Sequence, residues 1–325
     1  MNNKEEKEEF RRFLKVIKYE AFPEKAEERL NKQIGFSQEK KIFSDYIHLY
    51  SLSGGNFSPE KKITCYFGKP GTGKTTFVKS LNEAMSRELI IISCSGLEKF
   101  SEFSILGNEN KKSLIIWAIQ KAKCANPIIL FDELEKVEEN SDIQKDLTEL
   151  FREYKEKDYF EDAFFKERIS FGHLSFFATV NYIERLNPSL KNEVEVVEIC
   201  EYNKEDQAKI LSSKAKEIER RWRGINIPSS FIEMIPNHIH ESGIRQQEKV
   251  FRRLEREYLH NIENGNKKEV NYDKNWLEKF IFPYKEKMTF ENKHYLIFIL
   301  WLASIIVILI TFTKKIILKE DKDEF

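Results

Sequence analysis

The chain has 325 residues, enough for two packed domains with extensions, and its 41% hydrophobic content is ordinary for a globular protein. Its 54 lysines and arginines equal its 54 acidic residues, so the chain has no overall electrostatic field that would attract a polyanion. No nucleic-acid partner is therefore expected, although the balance does not exclude a local basic strip. The four cysteines are widely spaced, without a Cys-x-x-Cys pair or neighbouring histidines. This spacing excludes a zinc or dithiol motif and predicts buried thiols in a reducing compartment.

The first segment, residues 1–29, predicts an amphipathic helical extension. Its apolar residues recur at helical spacing among charged ones: Phe10, Phe13, Leu14 and Ile17. We expect this apolar edge to pack on the body of the protein; a partner helix or a membrane surface would be its other uses. Residues 1–9 are charged and lack an apolar stretch, so no signal peptide is predicted. A second helix is predicted over residues 38–50.

A complete G-x-x-x-x-G-K-[ST] pattern follows the apolar stretch 63–67 and opens a helix-like segment. The residues expected to surround the phosphates are Gly68, Pro70, Gly71, Thr72, Gly73, Lys74, Thr75 and Thr76. Glycines let backbone N–H groups turn toward phosphate oxygens, and the following helix directs its positive end at the same anion. Lys74 is expected to reach the β- and γ-phosphates and Thr75 to ligate Mg2+. The pattern therefore predicts a nucleoside triphosphate site.

Strand-like and helix-like segments alternate after this loop, which predicts an α/β fold with a parallel, doubly wound sheet. The strands are expected at residues 63–67, 89–94, 128–131 and 174–179, with helices around residues 112–123 and 142–154. Helical patterns without strands then cover residues 203–264. This change predicts a nucleotide-binding domain over residues 30–202 and a small all-α lid domain over residues 203–288.

An acidic pair, Asp132-Glu133, directly follows the apolar strand 128–131. In open α/β sheets, ligands bind beyond the carboxyl ends of the strands. Asp132 is expected to hold Mg2+, directly or through water, and Glu133 to polarise the attacking water. Phosphoryl transfer needs little beyond such positioning and charge neutralisation, so the pair predicts a hydrolytic site for ATP with Mg2+ as its cofactor.

The run of residues 295–313 contains 19 residues without a charge. A helix of that length spans roughly 28 Å, close to the hydrocarbon thickness of a bilayer. Its apolar residues cover every direction of a helix, which favours a membrane-spanning helix over a buried core helix. Basic residues on the two sides do not orient it. Because ATP is plentiful in the cytoplasm, we expect the ATPase domain there and residues 289–325 to form a single-pass, C-terminal anchor with a short tail.

The segment 126–136, Asn-Pro-Ile-Ile-Leu-Phe-Asp-Glu-Leu-Glu-Lys, resembles the second Walker motif of the AAA+ ATPases, most closely that of the Lon protease ATPase module. Further segments resemble this family in the same order. Ile34-Gly35 is similar to the adenine-contacting turn, and residues 160–164 are similar to the segment before the fourth strand of Lon. Residues 176–181 resemble the sensor-1 strand, residues 241–245 the sensor-2 motif and residues 275–280 the end of the lid. The resemblance covers residues 30–283 and implies an AAA+ type P-loop NTPase.

The resemblance also implies roles for two residues outside the phosphate loop. Asn181 would help to place the lytic water, and Arg245 would touch the γ-phosphate. Without the family, Asn181 could cap a turn, and Arg245 could pair with Glu241 or Glu248 on a solvated helix face. The family further implies that the chain assembles with copies of itself into a ring such as a hexamer.

The chain departs from Lon in three respects. Residues 284–325 leave no room for the Lon peptidase domain, so proteolysis is expected only through a partner. Residues 188–194 contain no arginine where the family places an arginine finger, which can contribute orders of magnitude to turnover. Lys191 or Arg185 could replace it, although lysine lacks the planar fork of arginine. Ile105-Leu106-Gly107, preceded by Phe103, stands at the place of the pore loop, so the aromatic grip is weakened or displaced.

Two functions from different classes follow. The first is a membrane-anchored, Lon-like AAA+ ATPase that remodels protein clients or assists proteolysis in trans. The second is an ATP-binding switch or scaffold with little hydrolysis that signals to a membrane partner. The missing arginine favours the switch, whereas Glu133 and Asn181 favour hydrolysis. Balanced charge and the predicted anchor count against a nucleic-acid motor.

Overall fold

A computed structural model describes residues 3–17, 25–52, 61–99, 102–222, 224–239, 243–263 and 276–278 of the chain. The described residues form two compact units, the first within residues 1–213 and 240–248 and the second within residues 214–239 and 249–325. The helices are α1 (Asn3–Val16), α2 (Ala26–Asn31), α3 (Ser37–Leu52), α4 (Lys74–Met85), α5 (Leu114–Ala122), α6 (Asp142–Glu156), α7 (Pro188–Glu193), α8 (Lys204–Arg221), α9 (Ser229–His238) and α10 (Ile244–Glu263). The strands are β1 (Thr64–Phe67), β2 (Leu89–Ser93), β3 (Ile128–Asp132), β4 (Tyr159–Asp162), β5 (Glu167–Ser170), β6 (Ser175–Val180) and β7 (Glu195–Glu198).

The first unit is built on a five-stranded sheet with the order β2-β3-β6-β1-β7. All of its strand pairs are parallel, so each connection crosses over and helices cover the sheet. This confirms the predicted α/β fold with a parallel sheet. Because Phe131 pairs with Ala178, the next residues of β3 and β6, Asp132 and Thr179, emerge side by side at the carboxyl edge.

Two hydrophobic cores lie on opposite faces of this sheet, because alternate residues of a strand point to opposite sides. Ile129 and Phe131 belong to the core that contains α5 and α6. Ile128 and Leu130 belong to the core that contains α4. These four side chains are fully buried, which explains why this part of β3 is a continuous apolar run rather than an alternating one.

Helix α1 packs on the antiparallel hairpin formed by β4 and β5. Phe10 is 1% exposed, and its ring centroid lies 4.3 Å from that of Phe165 in the hairpin turn. Arg11 Nε donates to Glu167 Oε1 at 2.6 Å. The apolar edge of the N-terminal helix therefore packs on the body of the protein, as its helical spacing predicts.

Among the β-strands of the first unit, an edge strand and a hairpin were not predicted. Strand β7 consists of Val196-Val197 between two glutamates and lies at the edge of the sheet, where a short apolar stretch suffices. The hairpin of β4 and β5 is the other element. Its buried Asp162 accepts hydrogen bonds from Ser113 N at 2.8 Å and Phe165 N at 2.7 Å, so a local polar contact supports it.

The described part of the second unit is helical. Its buried side chains include Ile218, Phe231, Ile235, Phe251 and Leu254. Glu255 accepts from Arg221 Nη1 and Trp222 Nε1, which joins two helices of this unit. Within the described ranges, every helix is too short or too polar to cross a membrane. The predicted span at residues 295–313 lies outside the described residues.

Candidate active site

The phosphate loop, residues 68–73, connects β1 to α4 and encloses the side chain of Lys74. Lys74 is 6% exposed, and its Nζ donates to the carbonyl oxygens of Gly68 at 2.7 Å and Lys69 at 3.0 Å. Burial lowers the pKa of Lys74, and the nearby carboxylates of Glu135 and Asp132 oppose this shift. The loop therefore holds a positive charge at the N-terminal end of α4, where an anion is already favoured.

Gly73 precedes α4 in a left-handed conformation, with φ at +92°. A Cβ at this position would collide with the hydroxyl of Tyr202 and lie 2.8 Å from Cζ of Phe36. Both the backbone conformation and the neighbouring rings thus require glycine. The two aromatic side chains therefore pack directly against the last residue of the loop.

Asp132 accepts hydrogen bonds from two hydroxyl groups at the carboxyl edge of the sheet. Thr75 Oγ1 donates to Asp132 Oδ1 at 2.8 Å, and Thr179 Oγ1 donates to the same oxygen at 2.6 Å. The threonine hydroxyl and the carboxylate are both hard oxygen ligands of the kind that Mg2+ binds. The predicted metal-binding pair, Thr75 and Asp132, is therefore assembled in the structure.

Glu133 adopts a left-handed backbone conformation with φ at +60° and ψ at +53°. For a residue other than glycine this conformation costs on the order of 1–3 kcal/mol and is concentrated at functional sites. The backbone N–H of Glu133 donates to Thr179 Oγ1 at 3.0 Å, and Ser95 Oγ donates to its carboxylate at 2.9 Å. Two residues that were not predicted, Thr179 and Ser95, thus fix the position of Glu133.

Asn181 binds Glu135 rather than Glu133. Its backbone N and its Nδ2 both donate to Glu135 Oε1, at 3.1 and 2.9 Å. The second oxygen, Oε2, is buried without a hydrogen-bond partner among the described residues. The sequence predicts a role for Asn181 but none for Glu135, because only the fold brings the end of β6 next to the turn after β3.

The segment that carries Arg245 lies directly against the phosphate loop. Ile244 N donates to Gly71 O at 3.2 Å, and a Cβ at Gly243 would approach the carbonyl carbon of Gly71 to 2.7 Å. Arg245 is exposed, and its positive charge contributes to the lowered pKa of Lys74. Its alternative partner Glu241 lies outside the described residues.

These groups surround one cavity of about 520 Å³, a size typical of small-molecule sites. The predicted residues that line it are Pro70, Gly71, Gly73, Lys74, Thr75, Thr76, Asp132, Glu133, Asn181 and Arg245. The predicted residues that lie outside the lining are Ile34, Gly35, Gly68 and Thr72. From the predicted adenine-contacting turn, the neighbouring Gln33 lines the cavity instead of Ile34 and Gly35. The lining residues that were not predicted include Glu135, Lys136, Thr179, Tyr182, Tyr202 and Glu248.

Tyr202 lines the cavity next to the turn that contains Gly35. Its ring meets that of Phe36 edge-on at 5.3 Å, and a Cβ at Gly35 would lie 2.8 Å from it. Burial raises the pKa of Tyr202, and the charges of Asp206 and Glu248 add to the effect. Tyr202 follows β7 in the chain and lies in none of the nucleotide-binding motifs, so its position in the cavity wall could not be predicted from the sequence.

Both substitutes proposed for the arginine finger are exposed on the first unit. The Arg185 guanidinium lies 4.5 Å from the ring centroid of Tyr182. Lys191 is exposed on α7. Glu193, at the end of the same helix, forms an ion pair with Lys155 of α6.

Comparison with known proteins agrees with this geometry. Residues 64–202 match the ATPase family associated with various cellular activities (AAA). The Lon protease of Aster yellows witches'-broom phytoplasma is 26% identical over 239 residues, covering 70% of this chain and 30% of its own length. The Lon proteases of Mycoplasma genitalium and Clostridium acetobutylicum are each 26% identical, covering 76% and 79% of this chain but 32% and 34% of their own lengths.

The parallel sheet, the phosphate loop and the Asp132–Thr75 pair have the arrangement of a P-loop nucleotide-binding domain, and residues 64–202 are similar to the AAA family whose model they match. The similarity to Lon proteases extends over about 70% of the length of the chain. The chain spans about a third or less of the length of these relatives.

Proposed function

We propose that the chain binds ATP with Mg2+ and hydrolyses it in the cavity of the first unit. The observation that carries the proposal is the convergence of four groups on that cavity: Lys74, Thr75, Asp132 and Glu133. They come from the phosphate loop, helix α4 and the end of β3, and each has the charge or the ligand atoms that phosphoryl transfer needs.

Lys74 provides the positive charge for the phosphate oxygens. In the structure its Nζ is bonded to two loop carbonyls, so a phosphate would compete with neutral acceptors that hold the ammonium in place. Thr75 and Asp132 would hold Mg2+, and the bound ion would neutralise the negative charge that develops on the phosphate. The described residues contain no cluster of three or more acidic, histidine or cysteine side chains for a metal, so nucleotide and water oxygens would complete the coordination.

Glu133 would accept a proton from the attacking water. Its carboxylate is bonded to Ser95 in the structure, so it must exchange this hydrogen bond for one from water. Asn181 lines the same cavity with its amide fixed on Glu135, and Arg245 brings a second positive charge to the phosphate end. Tyr202 and Gln33 would bound the nucleoside. These side chains act by orientation and charge, which account for most of the rate acceleration in phosphoryl transfer.

The wider activity that we propose is remodelling of protein clients, or assistance of proteolysis in trans, by a homo-oligomeric ring at a membrane. Similarity to Lon proteases supports the ring and the protein clients. The uncharged run at residues 295–313 supports a single-pass anchor with the ATPase domain in the cytoplasm. Phe103 is 3% exposed and packs on Trp117 at 4.8 Å, so it would have to leave this position to grip a client.

One observation favours a second function, an ATP-dependent switch with slow turnover. The helix that follows sensor 1 ends in Glu193, which is 14% exposed in its ion pair with Lys155. A carboxylate held at this helix end cannot stabilise phosphate charge in a neighbouring site. Turnover would then depend on Arg185, on Lys191 or on an arginine of another protein.

The test compares the full chain with Glu133→Gln and with Glu138→Gln, an exposed acid of the same loop as a matched control. We expect Glu133→Gln to bind ATP as tightly as the wild type while phosphate release falls at least about 100-fold, because general-base catalysis contributes on that order. Glu138→Gln should leave both unchanged. Wild-type turnover in Glu133→Gln would refute this site.

A further inference from the structure

Five basic side chains form a row on helix α10, within the second unit. Lys249, Arg252, Arg253, Arg256 and His260 are all exposed. At about 100° per residue they fall within an arc of about 100°, and they extend over about 16 Å of the helix. We refer to this row as the basic stripe.

The opposite side of α10 anchors the helix in its unit. Val250, Phe251 and Leu254 are at most 1% exposed there. Charge changes on the stripe therefore leave the buried contacts intact. The stripe can be tested without unfolding the unit that carries it.

Acidic side chains neutralise the stripe only in part. Glu257 borders it and accepts from Arg253 Nε at 3.2 Å and from Trp276 Nε1 at 2.7 Å. Glu263 lies at the end of the helix. In the part of the chain that the structure describes, no salt bridge joins Lys249, Arg252 or Arg256 to a carboxylate. A local positive surface thus exists on a chain whose net charge is zero.

We propose that the basic stripe docks on anionic phospholipid headgroups of the membrane that holds the chain. Rows of lysine and arginine on one face of a helix match a negative lipid surface in sign. The proposal rests on the proposed anchor at residues 295–313, which begins about 30 residues after α10 ends. Because the stripe and the proposed anchor belong to one chain, the anchor would raise the effective concentration of the stripe at the bilayer.

Attachment through the proposed anchor lowers the affinity for lipid that the stripe needs in order to dock. Each basic residue near an anionic surface increases binding about fivefold, so four arginines and lysines give an increase of several hundred-fold. Such a contact is weak for a free protein and substantial for a tethered one. Docking would therefore be reversible, and salt would release it.

The stripe suits lipid better than nucleic acid. Proteins that bind nucleic acids tightly neutralise about 6–10 phosphates, and those that bind single strands add stacked aromatic rings. The stripe has four permanent charges and no aromatic member. A planar lipid surface needs neither a groove nor stacking.

The experiment uses the full chain in nanodiscs of phosphatidylcholine, with or without phosphatidylserine. The exposed Cys200 is replaced by serine, and Ile262→Cys at the end of α10 carries a donor dye; the three remaining cysteines are buried. Energy transfer to acceptor-labelled headgroups measures docking. The test variant is Arg252→Glu/Arg256→Glu. The matched control is Lys216→Glu/Arg220→Glu, which reverses two exposed charges of α8 in the same unit.

We expect energy transfer in phosphatidylserine nanodiscs that high salt removes and that phosphatidylcholine nanodiscs lack. The test variant should lower the ratio of docked to undocked protein at least about 25-fold, and the control should not change it. Equal transfer in both lipids, equal loss in the control, or preferential binding of the stripe to a DNA duplex would overturn the proposal.

Two further measurements separate this proposal from the proposed function. Resistance to alkaline carbonate tests the anchor, and phosphate release tests the ATP site. If carbonate removes the chain, the anchor is wrong, and cosedimentation with phosphatidylserine vesicles then decides the lipid affinity of the stripe by itself. Loss of that cosedimentation in Arg252→Glu/Arg256→Glu supports the stripe, and its retention refutes it.

Discussion

Asn181 donates two hydrogen bonds to Glu135, one from its backbone and one from its side chain, and both end on the same carboxylate oxygen. The other oxygen of Glu135 is buried beside the cavity, without a partner among the described residues. Glu135 therefore fixes the direction of the Asn181 amide and keeps an acceptor available to a ligand donor such as water.

The first prediction concerns Glu135 as a positioning residue. Glu135→Ala should lower kcat about 10- to 100-fold and change the KM for ATP less than about threefold, because orientation rather than ground-state binding is lost. Glu135→Gln, which can still accept from Asn181, should recover part of kcat. Steady-state phosphate release over a series of ATP concentrations separates the two parameters.

A double-mutant cycle with Asn181→Ala provides the control for this prediction. If Glu135 acts through Asn181, the effects of the two substitutions on kcat should be far less than additive. Fully additive losses would mean that Glu135 acts independently, and a change in KM alone would mean that it contributes to binding.

The second prediction concerns the two lysines of the phosphate loop. Lys74→Ala should weaken ATP binding at least about 100-fold, because charge-assisted contacts of about 3 kcal/mol to phosphate are removed. Lys69→Ala should change it less than about twofold, since Lys69 is exposed and pairs with Glu201 at 2.7 Å. Titration calorimetry measures both. Tight binding by Lys74→Ala would exclude the phosphate-loop assignment.

The third prediction uses two glycines with opposite surroundings. Gly73→Ala should destabilise the protein by about 2 kcal/mol or more and impair ATP binding, because its Cβ meets Phe36 and Tyr202 at a positive φ. Gly96→Ala should have little effect, since a Cβ there meets no described atom within 4 Å. Thermal unfolding with and without ATP compares them; equal shifts in the two variants would refute the steric argument.

The fourth prediction concerns Thr179, which donates to Asp132 and accepts from Glu133 N. Thr179→Val leaves that N–H without its acceptor, at a cost of about 1–3 kcal/mol, and removes one of the two hydroxyl groups that donate to Asp132 Oδ1. We expect a lower melting temperature and a changed Mg2+ concentration for half-maximal turnover. Thr179→Ser keeps both hydrogen bonds and should behave like the wild type. If the valine and serine variants respond alike, the hydroxyl has no such role.

The parts of the site that the sequence predicts are contiguous in the chain. The phosphate loop and the Asp132-Glu133 pair follow strands whose apolar runs are clear, and their chemistry depends on neighbouring residues. The α/β sheet follows from the same alternation of strands and helices. These features are recognisable without knowing which strands are neighbours.

The missing parts depend on strand order. Thr179 reaches Asp132 because β6 pairs with β3, and Ser95 reaches Glu133 because β2 pairs with β3 on its other side. Periodicity gives each strand separately but not its neighbours, so these partners could not be predicted. Strand β7 was missed for a different reason: two valines between glutamates give too short an apolar signal.

The most direct test of the account is phosphate release by the full chain with Mg2+ and ATP, measured per chain across a protein concentration series, with Glu133→Gln as the blank. We expect turnover above the blank that rises with concentration, because in the proposed ring a neighbouring subunit would complete each site. ATP binding without turnover above the blank at every concentration would contradict the ATPase assignment and leave the nucleotide-dependent switch.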